Sequence, residues 1–443
     1  MNSFKLLVAK LKEKKKIIFN SLWVLTDKVI RMVGGLVVGI WFARYVGLYE
    51  FGLWNYAYSI VALATPIVNL GINNTLLTDL ANNETSVQKK ESLMIAGISL
   101  KLFTGVLCTS FIFIFSSLES EPLTRLILII LSFQCIFQAS DIFDLYYQSR
   151  SESKNSVRAK TSAYILVNIC KVIALVTKTS LYVFAVLNVF EWVVSSIILI
   201  IFYFKLSNNP VPKWRLDVGI LKSLVMRSWP FLIAEMLIIL YTRLDQIMLK
   251  NMVGNEELGR YSAAVRLSEV WYFIPIAICV SLYPTLVKLK NQGDDEVKQG
   301  FQKLFNLLAV ISVAIAVLFT FCSNIVTGLL YGSRYEGVGL ILSIHIWTGV
   351  AVFLGSASGY WLVLHNMQKH SLVQTVSGAV INILLNLILI PYYAGVGAAI
   401  ATLISQIAAT VLANAFFTKT RPVFWLQIKS LRNLLRPSLK NYI

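Results

Sequence analysis

The sequence predicts an all-α polytopic membrane protein with about twelve transmembrane helices, arranged as two six-helix lobes related by a parallel pseudo-two-fold repeat. Three observations predict this fold class. Hydrophobic residues make up 57% of the 443 residues and charged residues only 14%, whereas soluble proteins carry about 25% charged residues. The apolar residues are concentrated in runs of about twenty, the length that a helix needs to span a bilayer. One six-residue motif also occurs twice, half a chain apart.

Twelve apolar segments, separated by polar or turn-forming residues, are predicted to be the membrane-spanning helices. They cover residues 18–43, 52–76, 93–117, 123–147, 159–178, 181–204, 228–250, 260–286, 303–328, 338–364, 371–390 and 396–418. The interruptions contain turn signals such as Asn-Asn-Pro at 208–210 and Gly-Asp-Asp at 293–295. Because the number of spans is even, both termini are expected on the same side of the membrane.

The distribution of lysine and arginine predicts which side that is. The termini and the loops on their side hold 28 of the 40 basic residues, and the opposite loops hold six. Positive charge is concentrated on the cytoplasmic side of membrane proteins, so both termini are predicted to be cytoplasmic. The net charge of +18 is then a topology signal and an attraction for anionic lipid, and no nucleic-acid partner is expected.

The repeated motif is GLYEFG at 47–52 and GNEELG at 254–259. Both copies keep glycine at the first and last positions and glutamate at the fourth, and they stand 207 residues apart. Each copy follows the first apolar run of its half, so each is expected to form a short outer turn. Because six spans separate the copies, both halves enter the membrane in the same orientation, which makes the repeat parallel.

These patterns divide the chain into five predicted segments. They are a basic cytoplasmic N-terminus at 1–17, an N-lobe of helices 1–6 at 18–204, a cytoplasmic linker at 205–227, a C-lobe of helices 7–12 at 228–418 and a basic amphipathic cytoplasmic tail at 419–443. The apolar and basic residues of that tail indicate a helix on the inner membrane face.

No pattern in the sequence indicates catalysis or a bound cofactor. The five cysteines all stand inside apolar runs and lack metal-ligand spacing, so neither a metal site nor a disulfide framework is predicted. Walker A, HExxH and GxSxG motifs are absent from the sequence. The outer loops are also too short to form a catalytic domain. We therefore expect a protein that is not an enzyme and has no catalytic residues.

Motifs spread over nearly the whole chain resemble those of Wzx-type polysaccharide (O-antigen) flippases. They are Ala-Arg-Tyr-Val-Gly at 43–47, Phe-Gly at 51–52, Leu-Gly-Ile at 70–72, Asp245, Gly254, Gly259, Tyr261, Ala263, Ala264, Arg266, Pro284, Asn382, Asn386, Pro391 and Gly-Val-Gly-Ala-Ala-Ile-Ala-Thr at 395–402. These flippases form the oligosaccharide-exporter branch of a superfamily that also contains multidrug antiporters and lipid II flippases. Asn69 and Thr78 depart from the family pattern, which often has an acidic and a basic residue there. Twelve helices favour the Wzx-type branch, because lipid II flippases have two more.

The resemblance implies that the protein moves an undecaprenyl-pyrophosphate-linked oligosaccharide from the inner to the outer leaflet of the bacterial inner membrane, in lipopolysaccharide or related polysaccharide biosynthesis. Alternating access is the implied mechanism, driven by a proton or sodium gradient. Membrane lipids, a polysaccharide polymerase and its chain-length machinery are the implied partners. Two alternatives stay open: a cation-coupled multidrug exporter of the same superfamily, and a multi-span polysaccharide polymerase.

Four basic residues deep inside predicted spans are the candidates for substrate binding. A charge at the middle of a bilayer costs about 2.5–3.5 kcal/mol on insertion scales, so each should face a cavity or a partner. We expect Arg31 and Arg266 to clamp the diphosphate, because guanidinium groups bind its oxygens bidentately, with Arg243 and Lys171 in support. The competing hypothesis is structural: Asp27 with Arg31, and Glu269 with Arg266, have the spacing of pairs on one helix face.

Two carboxylates are the candidates for ion coupling. Glu191 and Asp245 stand inside the sixth and seventh predicted spans, where a carboxylate can load and release a proton as the cavity changes sides. A salt bridge of Asp245 with Arg243 or Lys250 is the alternative. Asn382 and Asn386 form a polar seam that suits helix–helix hydrogen bonds or sugar hydroxyls. Lys101, nearer the inner end of its span, is expected to extend its ammonium group to the interface.

Overall fold

The computed structural model describes residues 2–82, 84–206 and 216–435, and all secondary structure in these ranges is helical. The α-helices are α1 (Asn2–Asn69), α2 (Ile72–Ala81), α3 (Val87–Ser116), α4 (Pro122–Ser132), α5 (Gln134–Phe137), α6 (Asp141–Ser149), α7 (Ser153–Val176), α8 (Leu181–Ile201), α9 (Val218–Met252), α10 (Asn255–Glu269), α11 (Phe273–Lys290), α12 (Asp294–Tyr331), α13 (Val338–His345), α14 (Thr348–Leu364), α15 (Gln368–Ile407), α16 (Ala413–Phe416) and α17 (Arg421–Leu435). Short 3₁₀ or π segments cover Gln138–Ser140, Phe202–Leu206, Val270–Tyr272, Ser333–Tyr335 and Ala408–Leu412.

Ten helical stretches within the described residues are long and apolar enough to cross a membrane, and two of them contain a sharp break. The first break is at Gly47 in α1, with φ 82° and ψ 176°, and the second is at Ala394 in α15, with φ 50° and ψ −129°. A positive φ is favourable for glycine and uncommon for alanine. Each break turns one stretch into two crossings, which gives twelve. The predicted fold class, an all-α polytopic membrane protein, is confirmed.

Several helices extend beyond their predicted spans. Helix α12 begins at Asp294 rather than near residue 303, and its first turn contains three acidic residues. Acidic side chains at a helix N-terminus interact favourably with the helix dipole. The apolar pattern therefore predicted the part of each helix that suits hydrocarbon, whereas polar residues continue the helix into water.

Internal contacts divide the chain into two compact units. Unit 1 comprises Met1–Tyr45 and Ala57–Ile239, and unit 2 comprises Val46–Tyr56 and Leu240–Ile443. This division differs from the predicted lobes, because the first motif copy belongs to unit 2 and the first part of α9 belongs to unit 1. Residues 207–215 of the predicted linker and residues 436–443 of the predicted tail lie outside the described residues.

Each unit has its own apolar core. In unit 1, buried residues of α2, α3 and α6 pack together, including Ile72, Met94 and Ile142. In unit 2, buried aromatic residues of α12 and α14 form the centre of the core, where the rings of Phe301 and Trp361 meet edge to face with centroids 4.9 Å apart. The core of unit 1 also includes Ala159 of α7 and Leu199 of α8, the two helices that carry Lys171 and Glu191.

Candidate functional site

Arg31 is held on several sides by other residues of unit 1. Its Nε atom lies 3.1 Å from Oδ1 of Asp27, and its Nη1 atom donates to Oε1 of Glu191 at 2.9 Å. Its Nη2 atom donates to the backbone carbonyl of Lys160 at 2.8 Å, and its Cζ atom lies 4.9 Å from the ring centroid of Tyr164. An anion that binds Arg31 would therefore have to share or replace carboxylate partners.

Lys171 belongs to the same network. Its Nζ atom lies 3.7 Å from Oε2 of Glu191, the carboxylate that also contacts Arg31. The structure thus brings together three predicted site residues from α1, α7 and α8. Glu191 was predicted as an ion-coupling residue, and here it bridges two cations. Glu191 is therefore a shared counter-ion of Arg31 and Lys171 in this structure.

Two carboxylates in α6 are paired with a lysine, and another lysine is buried nearby. Lys160 lies 2.9 Å from Oδ1 of Asp141 and 2.5 Å from Oδ2 of Asp144. Lys101 is fully buried in α3, and within the described residues its Nζ atom has no hydrogen-bond partner. The expectation that Lys101 reaches the interface is wrong, because the packed helices of unit 1 enclose its whole side chain.

Asp245, in α9, lies in a buried polar site of unit 2. The Tyr261 hydroxyl donates a hydrogen bond to its Oδ2 atom, and the backbone N–H of Gln246 donates to its Oδ1 atom at 2.7 Å. The side chain is almost fully buried. The Tyr261 hydroxyl also lies 3.4 Å from Oγ1 of Thr402. The sequence motifs included Tyr261 and Thr402, but nothing in their spacing showed that they approach this carboxylate.

The asparagine seam of α15 continues this polar site. Asn382 Nδ2 lies 3.4 Å from Oγ1 of Thr402 and 3.2 Å from Oγ of Ser405. Asn386 Nδ2 donates to Oδ1 of Asn382 at 2.9 Å, whereas the buried Oδ1 of Asn386 has no hydrogen-bond partner within the described residues. A buried acceptor without a donor is unusual in proteins. The buried site of Asp245, Tyr261, Thr402, Asn382 and Asn386 therefore offers an oxygen that a cation can use.

Arg266, in α10, differs from Arg31 in its surroundings. Its Cζ atom lies 5.5 Å from the ring centroid of Phe51. Within the described residues, its buried Nη1 atom has no hydrogen-bond partner, and no ion pair joins Arg266 to Glu269. The structural hypothesis of a pair between these two residues therefore lacks a contact. Arg266 and the half-buried Arg243 both belong to unit 2.

The two copies of the repeated motif contact each other in unit 2, and we call this contact the motif crossing. A Cβ atom at Gly52 would overlap the carbonyl oxygen of Asn255, and one at Gly259 would overlap the carbonyl oxygen of Leu48. Both glycines and both carbonyls are 207 residues apart. Each copy therefore uses its last glycine to approach the second residue of the other copy, as expected around a two-fold axis.

Solved structures with this fold include membrane transporters. The chain superposes with a TM-score of 0.71 on a multidrug resistance MATE family transporter of the MOP superfamily in its inward-facing conformation, at 13% identity and covering 92% of this chain and 96% of that one. The lipid II flippase MurJ in an inward closed conformation gives a TM-score of 0.69 at 14% identity, covering 95% of this chain and 92% of that one. At these identities the similarity shows the fold.

Sequence comparisons identify the family. "Probable flippase AglR" from Haloferax volcanii is 32% identical over 181 residues, which are 39% of this chain and 37% of that protein. The MatE family matches residues 230–388. The family described as "Polysaccharide biosynthesis protein" matches residues 17–290, more than half of the chain. This multi-pass membrane protein therefore belongs to the polysaccharide biosynthesis protein family.

Proposed function

We propose that the protein is a flippase that moves an undecaprenyl-pyrophosphate-linked oligosaccharide from the inner to the outer leaflet of a bacterial inner membrane, with both termini in the cytoplasm. Family membership supports a role in polysaccharide biosynthesis. One relative by sequence and one by fold carry the name flippase. A polysaccharide polymerase and its chain-length machinery are the partners that such a role requires, because they consume the exported repeat unit.

The buried, unpartnered Nη1 of Arg266 is the observation that best supports an anionic substrate. A buried N–H group without an acceptor costs about 1–3 kcal/mol. A phosphate oxygen bound there would supply the missing acceptor and neutralise the guanidinium. Arg243 is the supporting cation in unit 2. In unit 1, Glu191 neutralises Arg31 and Lys171 when substrate is absent. To bind phosphate, these two cations would have to release Glu191.

We assign ion coupling to Asp245 rather than Glu191. The Asp245 carboxylate is buried, and polar contacts join it through Tyr261, Thr402 and Asn382 to Asn386, whose Oδ1 has no partner within the described residues. Carboxylate, amide and hydroxyl oxygens are ligands for hard cations, and a buried carboxylate can also take up a proton. Both a sodium and a proton gradient are therefore consistent with this site.

The substrate test uses Arg266→Gln and Arg266→Lys in vesicles that contain a fluorescent lipid-linked oligosaccharide. We expect Arg266→Gln to weaken substrate binding about ten- to a hundredfold, the loss of one charge-assisted hydrogen bond. Arg266→Lys should recover only part of it, because an ammonium lacks the planar fork. Arg125→Gln, at an exposed arginine, is the matched control. Wild-type flipping by Arg266→Gln would refute the assignment.

The same assay decides the role of Arg31. If Arg31 only balances carboxylates, Arg31→Gln should be harmful, and Arg31→Gln with Asp27→Asn should recover transport, because Glu191 keeps Lys171 as its partner. If Arg31 binds the diphosphate, the double variant should stay impaired. Membrane levels of each variant must be measured alongside, since a buried ion pair that loses one partner destabilises the fold.

The ion test compares Asp245→Asn with Glu191→Gln under imposed proton or sodium gradients. Asparagine keeps the size of the side chain and one of its two acceptor oxygens, but it cannot release a proton and carries no charge. We expect Asp245→Asn to make transport insensitive to the driving gradient. Glu191→Gln should lower transport but leave its gradient dependence. The opposite pattern would move the coupling site to unit 1.

A cation-coupled multidrug exporter is the second candidate function. The MatE match at residues 230–388 and the structural similarity to a MATE transporter favour it. Efflux of a cationic dye from the same vesicles separates the two candidates. We expect no gradient-driven dye movement, because the unpartnered donor of Arg266 suits an anion.

A further inference from the structure

The C-terminal helix α17 exposes a stripe of three cations and one tryptophan, which we call the basic stripe. Its members are Arg421, Trp425, Lys429 and Arg432, and all four are exposed, with Trp425 at 64%. Their spacing of four, four and three residues places them along one helix face. The sequence of α17 contains no acidic residue, so no carboxylate of this helix neutralises the stripe.

The opposite face of α17 is fixed to unit 2. Val423, Gln427 and Ser430 are fully buried, and the helix packs against α12. Gln427 Nε2 donates to the carbonyl oxygen of Thr410 at 3.0 Å, and Gln302 Nε2 donates to that of Leu426 at 3.2 Å. The orientation of the helix is therefore set by contacts with the protein. The side chains that face outward are the three cations and the tryptophan. The described part of the helix therefore presents no apolar face that could insert into the hydrocarbon of the bilayer.

The position of the basic stripe matches the edge of a membrane span. The last crossing ends at Phe416, where Phe416 is 79% exposed and Phe417 is 39% exposed. The exposed Lys419 follows, and α17 begins at Arg421. Basic residues and an exposed tryptophan just beyond the end of a span are typical of the depth at which lipid headgroups lie.

We propose that the basic stripe binds the headgroups of anionic phospholipids in the surrounding bilayer. The cations supply the opposite charge, and an exposed tryptophan suits the interface because its ring is apolar and its N–H is polar. A basic residue close to an anionic membrane surface adds about 1 kcal/mol, so each cation should enrich anionic lipid locally about fivefold. This inference does not depend on the transported substrate or on the coupling ion.

The test measures which lipids lie near position 425 in the full-length protein. A fluorophore is attached through W425C on a background without the native cysteines, and the protein is placed in phosphatidylcholine vesicles. A dilute lipid with a nitroxide on its headgroup is then added as quencher, either as phosphatidylserine or as phosphatidylcholine. We expect stronger quenching by the anionic lipid, by a factor of several, and a fall in this ratio as salt is raised.

Three variants make the result specific. R421Q/K429Q/R432Q should bring the quenching ratio close to one, and K429Q/R432Q should lower it while keeping the bond from Arg421 Nε to the Ala415 carbonyl oxygen. K89Q/K154Q/K222Q removes three exposed lysines of unit 1 and should leave the ratio unchanged.

Equal quenching by both headgroup labels in the unmodified stripe would overturn the proposal. So would an absence of quenching, which would show that the stripe faces water or another protein. Stronger quenching by a nitroxide deep in the acyl chains would also refute it, because position 425 would then be inserted into hydrocarbon.

Discussion

Asn386 and Lys101 each contain a buried polar atom that has no hydrogen-bond partner within the described residues, and these two atoms have different neighbours. Asn386 Oδ1 belongs to the residue at the far end of the polar contacts that run from Asp245 through Tyr261, Thr402 and Asn382. Lys101 Nζ is enclosed in unit 1, within electrostatic range of Asp141 and Glu235 but without contact to either. Lys160 already pairs with Asp141 and Asp144, and Lys101 has no counter-ion at hydrogen-bond distance among the described residues. The burial of this ammonium must cost stability.

Replacing Lys101 by methionine should therefore raise the free energy of unfolding. The substitution keeps the length of the side chain and removes a buried donor without an acceptor, which costs about 1–3 kcal/mol, so a gain of this order is expected. Thermal unfolding of the purified protein measures the change, with Lys222→Met at an exposed position as the control. A lower melting temperature for Lys101→Met would mean that the ammonium has a partner that compensates for its burial.

At the scale of elements, the motif crossing explains why the motif ends in glycine. Backbone atoms of one copy occupy the space that a side chain of the other would need, at both Gly52 and Gly259. Phe51 and Leu258, the residues before these glycines, are fully buried. The contact is therefore tight, apolar and reciprocal. If alternating access separates the two motif copies, the close approach at these glycines helps to determine how stable the state with the copies in contact is.

Alanine at Gly52 or Gly259 should destabilise the crossing by about 1–3 kcal/mol, the usual cost of overpacking. Gly328→Ala is the matched control, because a Cβ atom there meets nothing within 4 Å and alanine is the better helix former. The measurement is labelling of a cysteine at position 49 by a membrane-impermeant maleimide. Labelling should accelerate in Gly52→Ala and Gly259→Ala and stay unchanged in Gly328→Ala; equal rates in all three would contradict a close crossing.

At the scale of the whole molecule, the asymmetry of basic charge predicts one orientation in the membrane. Single cysteines at positions 49 and 256 should react with an impermeant maleimide on intact spheroplasts. Cysteines at positions 152 and 298 should react only after permeabilisation. Residue 256 lies near the start of one crossing and residue 298 near the start of the next. One crossing separates them, so they should lie on opposite sides of the membrane. Labelling of 152 or 298 from outside would reverse the orientation and the direction of transport that we propose.

The amino-acid sequence by itself determined the number of crossings, their order and the existence of the repeat. Each of these properties depends on residues close together in the chain: apolar runs, turn residues and a motif of six residues. The spacing of Asp27 and Arg31 likewise predicted a pair, which the structure contains, because residues four apart meet on one helix face.

Only the tertiary structure decided which residues from different helices meet. Arg31 and Glu191 are 160 residues apart, and Tyr261 approaches Asp245 from another helix. The same holds for the carbonyls that fill the space beside Gly52 and Gly259, and for the burial of Lys101. Hydropathy reports how much each segment avoids water, but it contains no term for which faces of two helices pack together. The packing of helix faces depends on the shapes and charges of all the helices in contact. This packing places carboxylates beside Arg31 but leaves Nη1 of Arg266 without an acceptor among the described residues.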